Sequence, residues 1–192
     1  IEHDLLREAR TGDFIAYEDL HARLEPAIGR FVRRLIGDTA EAEDAIQDTF
    51  ISFYMNMDRI EPVENLRPYL FRIARNRCYD ALRRQGRYEQ VSLDDEPTSI
   101  RVSFALHEKN MPEDTTHWLL LYMEVQQAMD QLPELQRQSL ILYAEEEMSY
   151  AEVAEVMEVS IGTVKSRLYH AKAKLRGLLP IETLQAIGVD LR

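Results

Sequence analysis

The sequence predicts an all-α protein of two small helical domains joined by a flexible acidic linker. Apolar residues recur at three- and four-residue steps along most of the 192 residues, and no segment shows a convincing strand pattern. This periodicity stops after residue 87, where Pro97, Pro112 and the acidic run at 94–96 are typical of a linker. The predicted division is a first domain at 1–87, a linker at 88–117, a second domain at 118–179 and a tail at 180–192.

The first domain is predicted to contain four helices, at residues 2–10, 14–36, 39–57 and 66–86, with a loop at 58–65. Asp13 is placed to cap the second helix, and Pro26 favours a break near the middle of that helix. Pro68 suits the first turn of the fourth helix, because a residue there has no intrahelical partner for a backbone N–H.

The third helix has a polar face that carries Glu43, Asp44, Gln47 and Asp48, opposite an apolar face. Plain solvation is the usual interpretation of such a face. Four acidic or amide groups clustered over two turns also suit the docking of a basic helical partner.

The fourth helix is strongly basic, with seven arginines and one carboxylate, Asp80, between residues 67 and 87. Helical spacing directs its polar groups mostly outward, and these are Arg72, Arg75, Asn76, Arg77, Arg83 and Arg84. The aromatic residues Tyr69, Phe71 and Tyr79 lie between the arginines, a combination that suits single-stranded or distorted DNA. For the aromatic residues alone, we favour the simpler interpretation that they belong to the core.

The second domain is predicted to end in a helix-turn-helix. Ser149 and Glu152 form a capping box at the start of one helix, and Ser160 is a suitable N-cap for the next. Ala154 lies ten positions before Val164, where a small side chain lets the two helices cross. Two further helices are predicted before this motif, at 118–131 and 135–144.

The last helix has a basic exposed face, with five Lys or Arg and no carboxylate between residues 161 and 176. Such a helix suits the major groove, with its N-terminal residues at base edges and later ones at phosphates. A solvated basic face is the alternative, but the capped first helix and the three-residue turn favour DNA. Glu158 lies in that turn, where a positive φ costs a non-glycine residue roughly 1 kcal/mol, which favours a different type of turn.

Composition narrows the class of function. The net charge of −11 taken alone argues against nucleic acid, but the two basic helices lie in an otherwise acidic chain, which limits non-specific DNA binding and suits a basic protein partner. One cysteine and five histidines without helical pairing predict no disulfide framework, no metal site and no cofactor. No nucleophile is accompanied by a base, so we expect no enzymatic activity. Without a signal peptide or a membrane-spanning run, we expect a cytoplasmic protein with no membrane insertion.

Three segments occur in a recognisable order: AEAEDAIQDTFISFY at 40–54, NLRPYLFRIARNRCYDALRR at 65–84 and LPELQRQSLILYAEEEMSYAEVAEVMEVSIGTVKSRLYHAKAKLR at 132–176. They resemble the core-polymerase-binding helix, the promoter −10 helix and the −35 domain of bacterial RNA polymerase sigma factors of the extracytoplasmic-function (ECF, sigma-70 related) family. The GTVKSRL run is especially specific. Tyr69 stands where many members have tryptophan, and Glu158 stands where many have glycine.

The resemblance implies a sigma factor that binds core RNA polymerase and directs promoter-specific transcription initiation. The helix with Asp44, Gln47 and Asp48 would dock on the clamp coiled coil of the largest subunit, and the second domain on the flap of the second-largest subunit. Asn65 would read an extruded base. An anti-sigma protein is the implied regulator. The implied −10 contacts are Asn65, Arg72, Arg75, Asn76 and Arg77, and the implied −35 contacts are Ser160, Thr163, Lys165, Ser166, Arg167, His170, Lys172 and Lys174.

Two other functions remain compatible with the residues. A stand-alone helix-turn-helix regulator would bind duplex DNA as a dimer without polymerase, although the second basic helix on a separate domain argues against it. A helical adaptor would use both basic helices to bind acidic proteins and would show no sequence preference on DNA.

Overall fold

The computed structural model describes residues 1–84, Gly86 and 115–186, and within these ranges the fold is all-α, as predicted. Two short 3₁₀ turns, Met57–Arg59 and Val63–Asn65, occupy the predicted loop. The helices are α1 (Glu2–Arg10), α2 (Phe14–Ile36), α3 (Ala40–Asn56), α4 (Leu66–Arg84), α5 (Thr115–Asp130), α6 (Glu134–Ala144), α7 (Tyr150–Met157), α8 (Ile161–Leu178) and α9 (Ile181–Ala186).

Helix α2 is continuous, so the predicted break near Pro26 is wrong. The Asp13 carboxylate caps its start by accepting the N–H groups of Ile15 and Ala16, as predicted. Proline removes one intrahelical hydrogen bond, but Leu24 and Ile28 on either side of Pro26 are buried in the core. Burial of that apolar face outweighs the local preference of proline and keeps the helix intact.

The boundary between the predicted linker and the second domain also differs from the prediction. Helix α5 begins at Thr115, three residues before the predicted start, and residues 88–114 of the predicted linker (88–117) lie outside the described residues. The tail forms the short helix α9, whose Leu184 is buried beside Ala128 and Leu179. The Thr183 hydroxyl donates to the Glu124 carboxylate, so the described part of the tail packs against α5.

The first four helices form a bundle around Phe31, Phe53 and Phe71, all fully buried. The rings of Phe31 and Phe71 meet edge to face, with centroids 5.2 Å apart. Phe71 and Tyr79 therefore belong to the core, as favoured from the sequence. Helix α4 packs against α2 and α3 on one side and against α7 on the other, so buried side chains continue from the bundle into the C-terminal helices.

The helix-turn-helix forms with the predicted caps but keeps a left-handed turn. The Ser149 hydroxyl and the Glu152 carboxylate make both bonds of the capping box. Glu158 adopts φ 55° and ψ 44°, so the expectation of a different turn type is wrong. Its N–H donates to the carbonyls of Ala154 and Glu155 at the end of α7. These hydrogen bonds satisfy carbonyl groups at the end of α7, and they stabilise a non-glycine residue in the left-handed region.

We expect Phe71→Ala to lower the free energy of unfolding by about 3–5 kcal/mol, because it removes a fully buried ring and leaves a cavity. Urea unfolding followed by circular dichroism measures the change. Phe14→Ala is the matched control, since Phe14 is 60% exposed and its removal should change stability by less than about 0.5 kcal/mol. Equal effects of the two substitutions would contradict the assigned core.

We expect Glu158→Gly to stabilise the protein by about 0.5–1 kcal/mol, because relief of the left-handed strain exceeds the added entropy of the unfolded chain. Ala151→Gly, at an exposed position inside α7, should instead destabilise it by about 1 kcal/mol. Thermal unfolding of both variants tests the opposite signs. A loss of stability in Glu158→Gly would argue against the left-handed turn.

Candidate nucleic-acid and polymerase interface

Helix α8 presents a polar face because its apolar stripe is held in the core. Val164, Leu168 and Ala171 are buried, which turns the opposite side of the helix outward. The Ser160 hydroxyl caps the helix by accepting the Thr163 N–H at 3.1 Å. The positive end of the helix dipole and a basic face without carboxylates therefore coincide on one surface.

Most residues predicted to contact −35 DNA lie on this surface. Two of its lysines lie near aromatic rings: Lys165 Nζ is 6.0 Å from the ring centroid of Tyr150, and Lys172 Nζ is 4.9 Å from that of Tyr143. Thr163 is half-buried and bonded to the Ser160 hydroxyl. The exposed members of the predicted set are Ser160, Lys165, Ser166, His170, Lys172 and Lys174.

Arg167 differs from the exposed members of the predicted −35 set because part of its side chain is buried. Its Nη1 atom is buried and has no hydrogen-bond partner among the described residues. Burial lowers the pKa of the Arg167 guanidinium, and the positive charge of Arg75 lowers it further. In this conformation the Arg167 side chain is partly buried, unlike the exposed lysines of the same helix.

Two arginines of α4 contact side chains of the C-terminal helices. Arg75 Nε donates to Gln138 Oε1 at 3.0 Å, and its guanidinium lies 4.7 Å from the Tyr79 ring centroid. The Arg72 guanidinium lies over Tyr69, with one nitrogen 4.0 Å from the Glu155 carboxylate. Two of the five predicted −10 residues therefore contact the C-terminal helices.

The remaining predicted −10 residues are Asn65, Asn76 and Arg77. Asn76 is exposed, and Asn65 is half-buried at the end of the second 3₁₀ turn. Arg77 Nη2 donates to the Ser52 hydroxyl at 2.9 Å, which ties this arginine to α3. A surface pocket of about 410 Å³ between α3 and α4 is lined by Ala45, Asp48, Arg77, Asp80, Arg83 and Arg84.

Gln138 on α6 is a site residue that sequence reasoning missed. Its side chain is buried, and its amide nitrogen donates to the Tyr79 hydroxyl at 2.9 Å and to Glu134 at 2.7 Å while its oxygen accepts from Arg75. Glu134, one turn earlier on the same helix, is the only one of these partners that a local pattern could indicate. The partners of Gln138 on α4 lie about sixty residues earlier in the chain, beyond the reach of any local pattern.

The predicted polar face of α3 is solvent-exposed at all three proposed polymerase contacts, Asp44, Gln47 and Asp48. The same side of the helix continues into exposed Ile51 and Met55, the latter 76% exposed. These two residues follow at helical spacing, and their exposure was not predicted. The face thus combines negative charge with apolar surface, a composition suited to a protein partner.

Within the described ranges, no three His, Cys, Asp or Glu side chains are grouped so that they could hold a metal ion. Cys78 is buried, and burial raises the pKa of its thiol. No described helix has both the length and the apolar character needed to cross a bilayer.

Two family models and several known proteins match this chain. The family model for sigma-70 region 2 matches residues 20–88, and that for sigma-70 region 4 matches residues 122–175. The ECF RNA polymerase sigma factor EcfG of Rhodopseudomonas palustris is 32% identical over 86% of this chain and 86% of its own length. The RNA polymerase sigma factor CarQ of Myxococcus xanthus is 33% identical over 88% of this chain and 92% of its own.

A solved structure shares the fold. It is the sigma factor RpoE in complex with the anti-sigma factor NepR from Bartonella quintana, with 26% identity and a TM-score of 0.65 over 86% of this chain and 98% of that one. The resemblance noted from the sequence is thereby confirmed, and the chain belongs to the extracytoplasmic-function family of RNA polymerase sigma factors.

Proposed function

We propose that this chain binds core RNA polymerase and directs it to promoters by recognising −35 and −10 elements. The observation that carries the proposal is the pairing of a capped, carboxylate-free basic helix, α8, with an exposed acidic and apolar face on α3. The basic helix suits binding to DNA, and the acidic and apolar face suits binding to a protein. A factor that links polymerase to a promoter requires both surfaces. We further propose that the helices of residues 1–87 and those of 118–179 act as separate units during initiation.

We propose that α8 reads the −35 element in the major groove. Ser160, Thr163, Lys165 and Ser166 lie in its first two turns, where a recognition helix meets base edges. His170, Lys172 and Lys174 lie further along and would meet phosphates. Arg167 belongs to this set only after its buried guanidinium nitrogen becomes exposed.

We propose that the −10 element is bound by α4 and the turn before it. Asn65, which offers an amide donor and acceptor, would hydrogen-bond an extruded base. Asn76 and Arg77 lie on the adjacent surface and would hold the strand backbone, as would Arg72 and Arg75 once their present contacts are released.

We propose that Asp44, Gln47 and Asp48 dock on the clamp coiled coil of the largest polymerase subunit and that the C-terminal helices dock on the flap of the second-largest subunit. The exposure and negative charge of the α3 face support the first contact. We also propose regulation by an anti-sigma protein that covers polymerase-binding surfaces, since the related RpoE forms a complex with the anti-sigma factor NepR.

Charge reversal of the α3 face tests the function directly. We expect Asp44→Lys/Asp48→Lys to weaken association with bacterial core RNA polymerase by at least roughly tenfold, because it places like charges against a basic partner. Native-gel titration measures the affinity. Asp19→Lys, on the exposed side of α2, is the control and should bind normally. If the unmodified protein fails to bind core enzyme but binds duplex DNA as a dimer, the stand-alone regulator replaces this proposal.

Substitution of one recognition-helix lysine tests the DNA assignment. We expect Lys165→Ala to weaken −35-dependent binding by about 1–3 kcal/mol, because Lys165 is exposed in the first turns of α8. Run-off transcription with core polymerase, on a promoter selected from a random library, measures the effect. Arg23→Ala removes one charge from the exposed side of α2 and should leave transcription unchanged. Normal transcription by Lys165→Ala would remove this residue from the interface.

A further inference from the structure

Helix α1 has no part in the proposed function, and it lies outside the sigma-70 region 2 match, which begins at residue 20. It packs against α2 and is held in the bundle by Leu6, which is fully buried, and by Ala9. Arg10 lies in the last turn of α1, one turn after Leu6 and on the same face of the helix. The bundle core therefore fixes the backbone from which the Arg10 side chain extends.

The Arg10 guanidinium reaches the turn between α3 and α4. Its Nε atom donates to the Met57 carbonyl at 2.8 Å, and its Nη2 atom donates to the Ile60 carbonyl. Its Nη1 atom lies 3.2 Å from the Glu61 carboxylate. The side chain of Arg10 is 16% exposed and that of Glu61 is 72% exposed. Because a surface ion pair contributes little, the two charge-assisted bonds to backbone carbonyls are the main contacts between α1 and the turn.

The turn needs such a donor because little of its backbone belongs to a regular element. Residues 60–62 lie between the two short 3₁₀ turns and are part of neither. A buried carbonyl in such a segment costs free energy unless a donor reaches it from another part of the chain. The guanidinium carries its N–H donors in a rigid, planar fork, so Arg10 can hold two carbonyls three residues apart in one arrangement.

The same turn carries Asn65, the proposed reader of an extruded base. Its apolar residues are buried at three-residue intervals, and they are Met57, Ile60, Val63 and Leu66. Asn65 lies between the last two of them and is half-buried. Its N–H donates to the Pro62 carbonyl at 3.0 Å. The carbonyl that Arg10 holds and the carbonyl that holds Asn65 are thus only two residues apart, so a shift of one moves the other.

We propose that Arg10 is a positioning residue for base recognition in the −10 element: it holds the turn before Asn65 and thereby fixes where the Asn65 amide meets an extruded base. This inference rests on the proposed role of Asn65. An amide distinguishes bases through one donor group and one acceptor, whose directions depend on the backbone that carries them. Release of the turn therefore lowers the preference for one base more than the overall attraction to DNA.

Substitutions of Arg10 and Asn65 separate positioning from charge. Arg10→Ala removes all three contacts, whereas Arg10→Lys keeps the positive charge but lacks the planar fork that spans two carbonyls. Asn65→Ala removes the proposed reader, and Arg10→Ala/Asn65→Ala tests whether the two residues act together. Arg7→Ala is the matched control, because Arg7 is exposed on the same helix and donates to Asp4 within α1. Far-UV circular dichroism and thermal unfolding check that each variant is folded at the assay temperature.

Amide hydrogen exchange of the full free chain, followed by NMR, measures whether Arg10 holds the turn without DNA or polymerase. The amides of Ile60 and Asn65 report on the turn, since each donates to a carbonyl three residues earlier. We expect both to exchange roughly two- to tenfold faster in Arg10→Ala and Arg10→Lys, because loss of the guanidinium bonds makes local opening easier. Arg7→Ala should leave them unchanged. Unchanged exchange in both Arg10 variants would overturn the proposal.

Base preference measures the role of Arg10 in recognition. Run-off transcription with core polymerase compares promoters that carry each of the four bases at each −10 position, and the readout is the ratio between the best and the poorest base. Asn65→Ala should lower this ratio by at least about fivefold at one position. Arg10→Ala and Arg10→Lys should lower it by at least about twofold at that same position, and the double variant no further than Asn65→Ala alone. Arg7→Ala should leave the ratio unchanged.

Three outcomes contradict different parts of this scheme. If Arg10→Ala reduces transcription equally with all four bases, Arg10 only stabilises the fold, and its positioning role is overturned. If Asn65→Ala keeps full preference at every position, Asn65 is not a reader, and the positioning role fails with it, while amide exchange still shows whether Arg10 holds the turn. If the unmodified protein does not initiate with core polymerase, the proposed function itself fails, and base positioning with it.

Discussion

The arrangement of the whole molecule depends on how helix α4 divides its side chains among its neighbours. It supplies Phe71 and Cys78 to the bundle core, where both are fully buried, and these contacts fix the rotation of the helix. That rotation directs Arg72 and Arg75 toward the C-terminal helices and Arg77 toward α3. A helix rich in arginine can remain in the centre of a protein because its partly buried guanidinium groups reach a carboxylate, an amide, a hydroxyl or an aromatic face.

Internal ion pairs explain how an acidic protein accommodates arginines of α2 and α4. Four of these arginines pair with Glu145, Glu146 and Glu155 from the C-terminal half, and they are Arg30, Arg34, Arg67 and Arg72. The carboxylates of Asp44 and Asp48 on the α3 face remain exposed. Guanidinium groups bind carboxylates and phosphates through similar charge-assisted hydrogen bonds. DNA phosphates must therefore compete with these internal carboxylates for the same arginines.

Much of the fold and part of the site follow from local sequence. Caps at Asp13, Ser149 and Ser160 begin helices where the pattern indicates, since a side-chain oxygen satisfies N–H groups only a few residues away. The exposure of Asp44 and Lys165 follows from the periodicity of their own helices. The motif order that indicated the sigma-factor family is likewise a property of the chain alone, and the comparisons agree with it.

Packing between distant parts of the chain determines the features that these local patterns do not predict. Packing of Leu24 and Ile28 keeps α2 continuous through Pro26, and hydrogen bonds at the end of α7 hold Glu158 in a left-handed turn. Gln138 reaches Arg75 and Tyr79, about sixty residues earlier, only because folding brings α6 within hydrogen-bond distance of α4 side chains. Local sequence indicates most of the helices and the polar face of each, because those properties depend on neighbours three or four residues away. Only the folded chain decided which polar faces meet, because that depends on how distant apolar faces pack together.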